Sequence, residues 1–280
     1  MNRLSSFFAL ARAAGSRFLP RLKRFLSRDE VRGSALWARD FALIFGAVFM
    51  GTAALAQPFY VPSGSMQPTL GIGDLLVVEK YPYGYSRFSL PYGESLFPGT
   101  RRLFPGTPKP GDVVVFRLPR DTAQTLVKRV VALPGDRVQM RGGRLWINGK
   151  QLPLRAAGTG KVEDGPGEAA PGVYFTAART IETLPNGREH PIFKKVWNAP
   201  YDDTPEYVVP AGCLFVMGDN RDDSADSRIA PEEGGVGFLP IANVTGRVRL
   251  VLASVDFVNA DYVLEWPFEL RLSRTLARVR

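Results

Sequence analysis

Three short blocks of the sequence carry the residues that could do chemistry. They are PSGSMQPTL at 62–70, VKRVVALPGD at 127–136 and GDNRDDSADSR at 218–228. The first block is a turn between prolines in which Gly64 allows close approach of the backbone to another group, and it offers a serine as nucleophile. A serine hydroxyl attacks a carbonyl only when a neighbouring base takes its proton, so the base decides what this block could do.

Composition narrows the choice of base. The single histidine, His190, lies in PNGREHPIF, which has the pattern of a solvated loop, so a Ser-His-Asp triad would rest on one poorly placed residue. A lysine in a dry site is the remaining practical base. Lys128 is the best candidate because branched apolar residues flank it in TLVKRVVAL, which predicts a strand with one buried face. Burial lowers the pKa of a lysine, whereas a lysine on an exposed strand edge stays charged.

The third block is rich in Asp, Asn and Gly and predicts an ordered loop. Its charges can satisfy one another, with Asp219 and Asp226 set against Arg129 and Arg228, while Ser224 forms a hydrogen bond toward a nearby base. A calcium loop is the obvious alternative, but the block lacks the central glycine and the terminal glutamate at EF-hand spacing. A solvated acidic turn is the other alternative.

The elements that must position these blocks are short and rich in β-branched residues, as strands are. The predicted strands are LLVVEK (75–80), DVVVFRL (112–118), TLVKRVVAL (125–133), RVQM (137–140), RLWING (144–149), EYVVP (206–210), CLFVMGD (213–219) and RVRLVLASV (247–255). Gly142-Gly143 and Asn148-Gly149 predict two hairpin turns. We therefore expect a mainly β domain over 62–280, built as an antiparallel sheet or barrel-like fold.

Two stretches of that domain have the composition of insertions. Residues 81–111 are dense in Pro, Gly and aromatic residues, which either pack locally or form an apolar surface at the bilayer interface. Residues 155–205 are rich in Gly and Pro at first and then contain a strand-like piece. Neither stretch contains a repeat, and the second receives no function from its sequence.

The basic charge of the chain is concentrated at the N-terminus. Of the formal net charge of +9, +6 lies before residue 41, where nine Lys/Arg face three Asp/Glu. This basic segment, 1–40, precedes an uncharged apolar segment, and that order fits the positive-inside rule for membrane proteins. Zinc-finger spacing and RNP-like aromatic motifs are absent from the sequence, so no nucleic-acid partner is expected.

The apolar segment 41–61 predicts a transmembrane anchor that places the N-terminus in the cytoplasm and the remainder outside. A cleaved signal peptide is an alternative, since Ala-Leu-Ala before Gln57 resembles a cleavage site. Cleavage there would fall only a few residues before the first chemical block, which favours an uncleaved anchor. The Arg-rich segment 1–32 could be an amphipathic surface helix or an organellar transit peptide.

Taken together and in this order, the three blocks resemble bacterial type I signal (leader) peptidases, which are serine endopeptidases with a Ser/Lys dyad. The family's nucleophile is the second serine of its P-S-G-S-M motif, here Ser65. Its general base is the lysine before the arginine in K-R-V-V-G-L-P-G-D, here Lys128. The resemblance implies that Ser63 contributes to the oxyanion hole with the backbone N–H of the nucleophile, and that Ser224 positions the lysine while Asp226 and Arg228 hold the site together.

The departures from the family's pattern are few. Gln67 stands where a second methionine or a similar residue is common, Ala132 replaces the usual glycine, and Asp223 replaces the usual asparagine. Other segments that look like parts of the family are GFLP (237–240), GRVRLVLAS (246–254) and EWPFELRLSR (265–274). The stretch 155–205 is not accounted for by the resemblance.

The resemblance implies removal of signal peptides from exported preproteins by acyl transfer, with small substrate residues at positions −1 and −3 and with no metal or organic cofactor. The implied partners are secretory preproteins and the lipid bilayer. The implied location is the inner membrane, crossed once, with the catalytic domain on the periplasmic side. Alternatives are a Ser/Lys peptidase of another purpose, such as a self-cleaving regulator or a pilin-processing enzyme, and a catalytically silent membrane-tethered β module. The sequence does not indicate an oligomeric state.

Overall fold

A computed structural model of the protein describes residues 36–46, 55–89, 93, 99, 101–163, 174–256 and 269–279. The chain divides into two compact units, Met1–Thr52 and Ala53–Arg280. In the first unit, residues 36–46 are α-helical. Within the described ranges, no helix combines the length and the apolar character needed to cross a bilayer. The predicted amphipathic segment 1–32 lies outside the described residues.

The end of the predicted anchor differs from expectation. Ala56–Tyr60, which were expected to belong to the anchor 41–61, form a β-strand instead. This strand pairs antiparallel with the next one, Asp74–Glu79, from Ala56 opposite Glu79 to Tyr60 opposite Leu75. The apolar composition of these residues therefore serves a strand of the second unit. Residues 47–54 of the predicted anchor lie outside the described residues.

The second unit is built from short strands. They are β1 (Ala56–Tyr60), β2 (Asp74–Glu79), β3 (Val113–Leu118), β4 (Asp121–Ala132), β5 (Arg137–Arg141), β6 (Arg144–Ile147), β7 (Lys150–Gln151), β8 (Leu154–Glu163), β9 (Tyr174–Thr183), β10 (Glu189–Lys194), β11 (Tyr207–Val208), β12 (Cys213–Met217), β13 (Leu239–Pro240), β14 (Val244–Ser254) and β15 (Ala277–Arg278). All eight predicted strands are present, with small changes at their ends.

The largest sheet carries the first two chemical blocks. Its strand order is β1-β2-β14-β3-β4-β12-β13, with β15 added on β14, and every neighbouring pair is antiparallel. β2 reads DLLVVE and alternates buried with half-buried residues, the period of a strand with one face in the core. β3 and β12 are buried almost throughout, as strands covered on both faces are.

A second sheet, of order β11-β5-β6-β7, contains both predicted hairpins. Gly142 and Gly143 turn between β5 and β6 with φ of 52° and 73°, and Asn148 and Gly149 turn between β6 and β7 with φ of 52° and 75°. Positive φ at both central residues is the requirement of a type I′ turn, which matches the twist of the flanking strands. The prediction of a mainly β, antiparallel fold is confirmed.

The stretch 155–205, unassigned from sequence, forms most of a third antiparallel sheet, of order β10-β9-β8. This sheet is bonded to the loop 218–228. Phe193 on β10 donates its backbone N–H to the carbonyl of Asp219 at 2.9 Å, and Arg221 donates its N–H to the carbonyl of Phe193 at 3.0 Å. The stretch therefore supports the third chemical block.

The expectation that His190 is a solvated loop residue is wrong. His190 lies on β10 opposite Glu182 of β9 and is 2% exposed. The turn signal in this region is real, but it belongs to the preceding residues, where Leu184 donates its N–H to the carbonyl of Arg188 at 2.9 Å and Gly187 has a φ of 80°. His190 follows that turn directly and points into the protein.

The aromatic residues of 81–111 are divided between core and surface. Tyr83 is 2% exposed and Phe88 is 8% exposed, whereas Phe104 is 82% exposed. Arg102 fastens the segment to the domain, because its guanidinium donates hydrogen bonds to backbone carbonyls both of this segment and of residues 241–244. Local packing is thus confirmed for Tyr83 and Phe88.

One cluster of the hydrophobic core holds the first chemical block in place. Met66 and Leu70, which follow the candidate serines, are buried with Leu76 of β2 and Val113 and Val115 of β3. Burying a Leu or Met side chain stabilises a fold by about 1.5–3 kcal/mol. The turn that presents the serines is therefore fixed to the sheet by its last residue, Met66, and by Leu70.

Candidate active site

Ser65 and Lys128 meet beside β4 of the large sheet. Ser65 lies in a single 3₁₀ turn, Gly64–Met66, and Lys128 lies on β4. Lys128 Nζ is 2.7 Å from Ser65 Oγ, and Ser63 Oγ is 3.5 Å from Ser65 Oγ. Ser65 is partly exposed and so can be reached from outside, whereas Lys128 is 3% exposed. The structure brings together a serine hydroxyl, a buried amine and a second hydroxyl.

The buried position of Lys128 makes it a base. Removal from water is the largest cause that lowers the pKa of Lys128, from 10.5 to about 8, and it outweighs the opposing charge of Asp226. Arg228 lowers the pKa further and Asp219 raises it. At pH 7 about one molecule in ten then holds a neutral amine, against roughly one in 3,000 for an ordinary lysine.

Asn220 fixes the backbone of the serine turn. Its N–H donates to the carbonyl of Ser65 at 3.1 Å, and its side-chain Nδ2 donates to the carbonyl of Gly64 at 3.2 Å. Asn220 belongs to the third block but was not among the predicted site residues. Its position in the sequence marked it only as part of a polar loop, because a side chain that bonds a distant backbone carbonyl leaves no spacing signal.

Gly218 allows the loop to reach the serine turn. A Cβ on Gly218 would lie 2.2 Å from Ser224 Oγ and 2.5 Å from the carbonyl oxygen of Ser65, both closer than real contacts permit. Ser224 is 6% exposed, and its Oγ has no hydrogen-bond partner among the described residues. The hydrogen bond from Ser224 toward the base that was expected from the loop is therefore not present within the described structure, although Ser224 lies against the site.

Arg129 and Asp219 form a buried, two-point ion pair behind the dyad. Arg129 Nε and Nη2 donate to the two carboxylate oxygens of Asp219 at 2.8 and 2.7 Å, and both side chains are 1% exposed. Thr69 donates its hydroxyl to the same carboxylate. Burial opposes ionisation of Asp219, but the charge of Arg129 and its hydrogen bonds outweigh burial, so the pKa of Asp219 is lowered. This pair joins β4 to the loop and to the serine segment.

Arg228 and Asp226 form a second buried pair within the loop. Arg228 Nε and Nη2 each donate to Asp226 at 2.9 Å, and Gly218 donates its N–H to Asp226 at 3.0 Å. Burial opposes ionisation of Asp226, but Arg228 and the backbone donors reverse that effect and lower its pKa. The remaining two aspartates of the loop are also paired, Asp222 with Lys194 and Asp223 with Lys195. The loop's carboxylates are thus held by cations of the protein.

The third sheet adds a buried ionic pair that sequence reasoning missed. Arg221 donates to both carboxylate oxygens of Glu182 at 3.0 and 2.5 Å, and His190 Nε2 is 3.4 Å from the same carboxylate. Burial first, and then the charge of Arg129, lower the pKa of His190 to about 4, so its ring is neutral at pH 7. His190 Nε2 also lies 3.9 Å from Asp219 Oδ1, and neither ring nitrogen has a hydrogen-bond partner among the described residues.

Comparison with known proteins identifies the family of the chain. The family model described as signal peptidase, peptidase S26, matches residues 34–253. The chain belongs to the signal peptidase family. This assignment confirms the resemblance drawn from the three blocks and the enzyme class that it implied, a serine peptidase.

Relatives within the signal peptidase family cover most of the chain. Signal peptidase I of Rickettsia typhi is 33% identical over 270 residues, which is 89% of this chain and 96% of that protein. Signal peptidase I of Rickettsia akari is 37% identical over 205 residues, covering 70% of this chain and 71% of that protein. A crystal structure of a signal peptidase I from Enterococcus faecalis is 26% identical and covers 50% of this chain and 96% of its own, with a TM-score of 0.28.

Proposed function

We propose that this signal peptidase family member cuts signal peptides from exported preproteins, with Ser65 as nucleophile and Lys128 as general base. One observation carries the proposal: Lys128 Nζ lies 2.7 Å from Ser65 Oγ in a site that lowers the pKa of the amine to about 8. A nucleophile and a base within hydrogen-bond reach are the minimum that acyl transfer needs.

In the acylation step, neutral Lys128 accepts the proton of Ser65 as Ser65 Oγ attacks the carbonyl carbon of the scissile peptide bond. The carbonyl oxygen becomes an oxyanion, for which the Ser63 hydroxyl and the backbone N–H of Ser65 are the proposed donors. When the carbon–nitrogen bond breaks, protonated Lys128 gives its proton to the leaving amine. An ester of Ser65 with the signal peptide remains.

In the deacylation step, Lys128 accepts a proton from water as the water oxygen attacks the ester carbonyl. The ester bond breaks and the proton passes from Lys128 to Ser65 Oγ, which restores both groups. The site is proposed to be held for this cycle by the pairs Arg129–Asp219 and Arg228–Asp226, with Ser224 packed against Gly218. No step requires a metal or an organic cofactor.

We further propose that the chain is anchored in the inner membrane before Ala56, with the catalytic domain on the periplasmic side. The basic segment 1–40 followed by the uncharged residues 41–55 supports this orientation. Ser65 lies nine residues after Ala56, and this short distance would keep Ser65 close to a preprotein still held in the bilayer.

The decisive test is cleavage of a preprotein by the full-length chain in detergent. Ser65→Ala and Lys128→Met should each lower the rate of cleavage by several orders of magnitude while the circular dichroism spectrum is retained. Lys150→Met, at an exposed position of β7, is the matched control and should cleave normally. Unchanged cleavage by Lys128→Met at neutral pH would refute the dyad. A wild type that binds but never cuts preproteins would favour a catalytically silent module.

A further inference from the structure

Gln67 joins the serine turn to the third sheet. Its Nε2 donates to the carbonyl of Glu163 at 3.1 Å, and the backbone N–H of Glu163 donates to Gln67 Oε1 at 3.0 Å. Gln67 is 6% exposed, and Glu163, the last residue of β8, is 8% exposed. The side-chain amide thus pairs with a main-chain peptide in both directions, as one strand pairs with another.

The contact lies directly against the residue before the nucleophile. A Cβ on Gly64 would lie 2.9 Å from the carbonyl oxygen of Glu163 and 2.9 Å from Gln67 Nε2. Gly64 therefore allows β8 and the amide of Gln67 to close onto the turn, because any larger residue would push them away. Val162, next to Glu163, is fully buried at 0% exposure, so this end of β8 is fixed.

The turn is consequently held from two sides. On one side Asn220 bonds the carbonyls of Gly64 and Ser65. On the other side Gln67 bonds Glu163. We propose that Gln67 is a positioning residue, which sets the placement of Ser65 by docking the serine turn on β8. This inference rests on the proposed function, and it gives the stretch 155–205 a part in catalysis.

The chemistry of Gln67 is specific for this role. Methionine, which is common here in the family's pattern, has a similar length but neither donates nor accepts a strong hydrogen bond. Replacing Gln67 by Met leaves the buried N–H and carbonyl of Glu163 without their partner, which costs free energy and loosens the turn. The hydrogen bonds of Gln67 go to Glu163 and not to the amine, so the basicity of Lys128 should be untouched.

The experiment compares Gln67→Met with Gln139→Met in the full-length chain. Gln139 also donates a side-chain hydrogen bond to a backbone carbonyl, that of Thr204 at 3.0 Å, but on the second sheet. Gln67→Met should lower kcat by about 10- to 100-fold, the scale expected when a reacting group is misplaced by up to ~1 Å. KM and the pH midpoint should stay as in wild type. Gln139→Met should have wild-type kcat.

A second pair of variants removes the same bond from the other side. Glu163→Pro deletes the N–H that Gln67 Oε1 accepts, and Glu163→Ala deletes only the side chain. Glu163→Pro should lower kcat further than Glu163→Ala does. Adding Gln67→Met to Glu163→Pro should lower kcat less than the two single effects combined, because both changes break one contact. Fully multiplicative effects, or a wild-type kcat in Gln67→Met, would overturn the inference.

Acylation of Ser65 by a small activated ester, followed by mass spectrometry, separates this inference from the proposed function. That reaction reports the placement of Ser65 and Lys128 without needing a preprotein. Slower acylation in Gln67→Met than in Gln139→Met supports the positioning role even if the wild type cuts no preprotein, in which case only the proposed substrate is wrong. Equal acylation rates would contradict the role of Gln67.

Discussion

The carbonyl oxygen of Ser65 occupies the space where a side chain on Gly218 would begin. A Cβ there would lie 2.5 Å from that oxygen. The loop 218–228 and the serine turn are therefore in backbone contact, and Asn220 continues that contact with two hydrogen bonds. The relative placement of the dyad depends on a glycine that takes no part in the chemistry.

Gly218→Ala should accordingly lose activity. The added methyl group must displace both the Ser65 backbone and Ser224, and we expect cleavage to fall by about 100-fold or more. Gly46→Ala is the matched control, since a Cβ at Gly46 has no atom within 4 Å among the described residues. The measurement is kcat/KM on a preprotein, together with the melting temperature of both variants. Normal cleavage by Gly218→Ala would show that the loop can move away without consequence.

Cleavage should rise with pH. Only neutral Lys128 accepts a proton, and its pKa is lowered to about 8. Below that value kcat/KM should increase about tenfold per pH unit, and above it the rate should level off. The profile is measured with a peptide substrate between about pH 5 and pH 10. A rise that continues to the ordinary value of 10.5 would mean that the amine is solvated in the working enzyme.

Lys128→Met should stabilise the fold at neutral pH. Because the pKa of Lys128 is lower in the folded protein than in the unfolded chain, the unfolded chain binds more protons between about 8 and 10.5. Wild-type stability therefore rises with pH through that window and carries a cost of ~3 kcal/mol below it. In urea unfolding, the advantage of Lys128→Met should be largest below pH 8 and should shrink toward pH 10. A constant difference at every pH would contradict the prediction.

His190 should weaken the fold in mild acid. Its pKa is lowered from 6.5 to about 4, so between these values the unfolded chain takes up a proton that the folded protein does not. The free energy of unfolding should therefore fall as the pH drops from 6.5 to 4. In His190→Gln this fall should be smaller, whatever the variant's stability at pH 7. Identical slopes for the two proteins would show that His190 is solvated or already charged.

The sequence predicted the strands well because their signal is local. β2, β3, β4 and β12 are runs of branched apolar residues, and burial on one or both faces is what such runs provide. The hairpins followed from Gly142-Gly143 and Asn148-Gly149, which tolerate positive φ. Lys128 could be placed for the same reason, since a charged residue inside an apolar strand is conspicuous.

The third sheet could not be predicted in the same way. β8 reads LRAAGTGKVE, and its residues are mostly exposed or half-buried, so they show no apolar period. Its burial comes at Val162 and Glu163, where the strand meets the serine turn. That contact depends on tertiary structure. The wrong expectation that His190 lies in a solvated loop has the same origin. The turn pattern ends one residue before β10, and the burial of that strand depends on tertiary structure.

Only some of the residues that support the dyad could be predicted from the sequence. Arg129 and Asp219 could be matched as opposite charges in neighbouring blocks. Asn220 could not, because an amide that bonds the carbonyls of Gly64 and Ser65 acts on backbone atoms that every residue has. Gln67 is the same case, and it stood out only as a departure from a familiar pattern.

The amide of Gln67 has one more consequence, for solubility. β8 is the outermost strand of its sheet, and a bare outer strand invites pairing with another polypeptide. At Glu163 both main-chain groups that a foreign strand could bind are already taken by a single side chain. Gln67 thus takes the place of a neighbouring strand at Glu163, so that a foreign strand cannot pair with this residue beside the nucleophile.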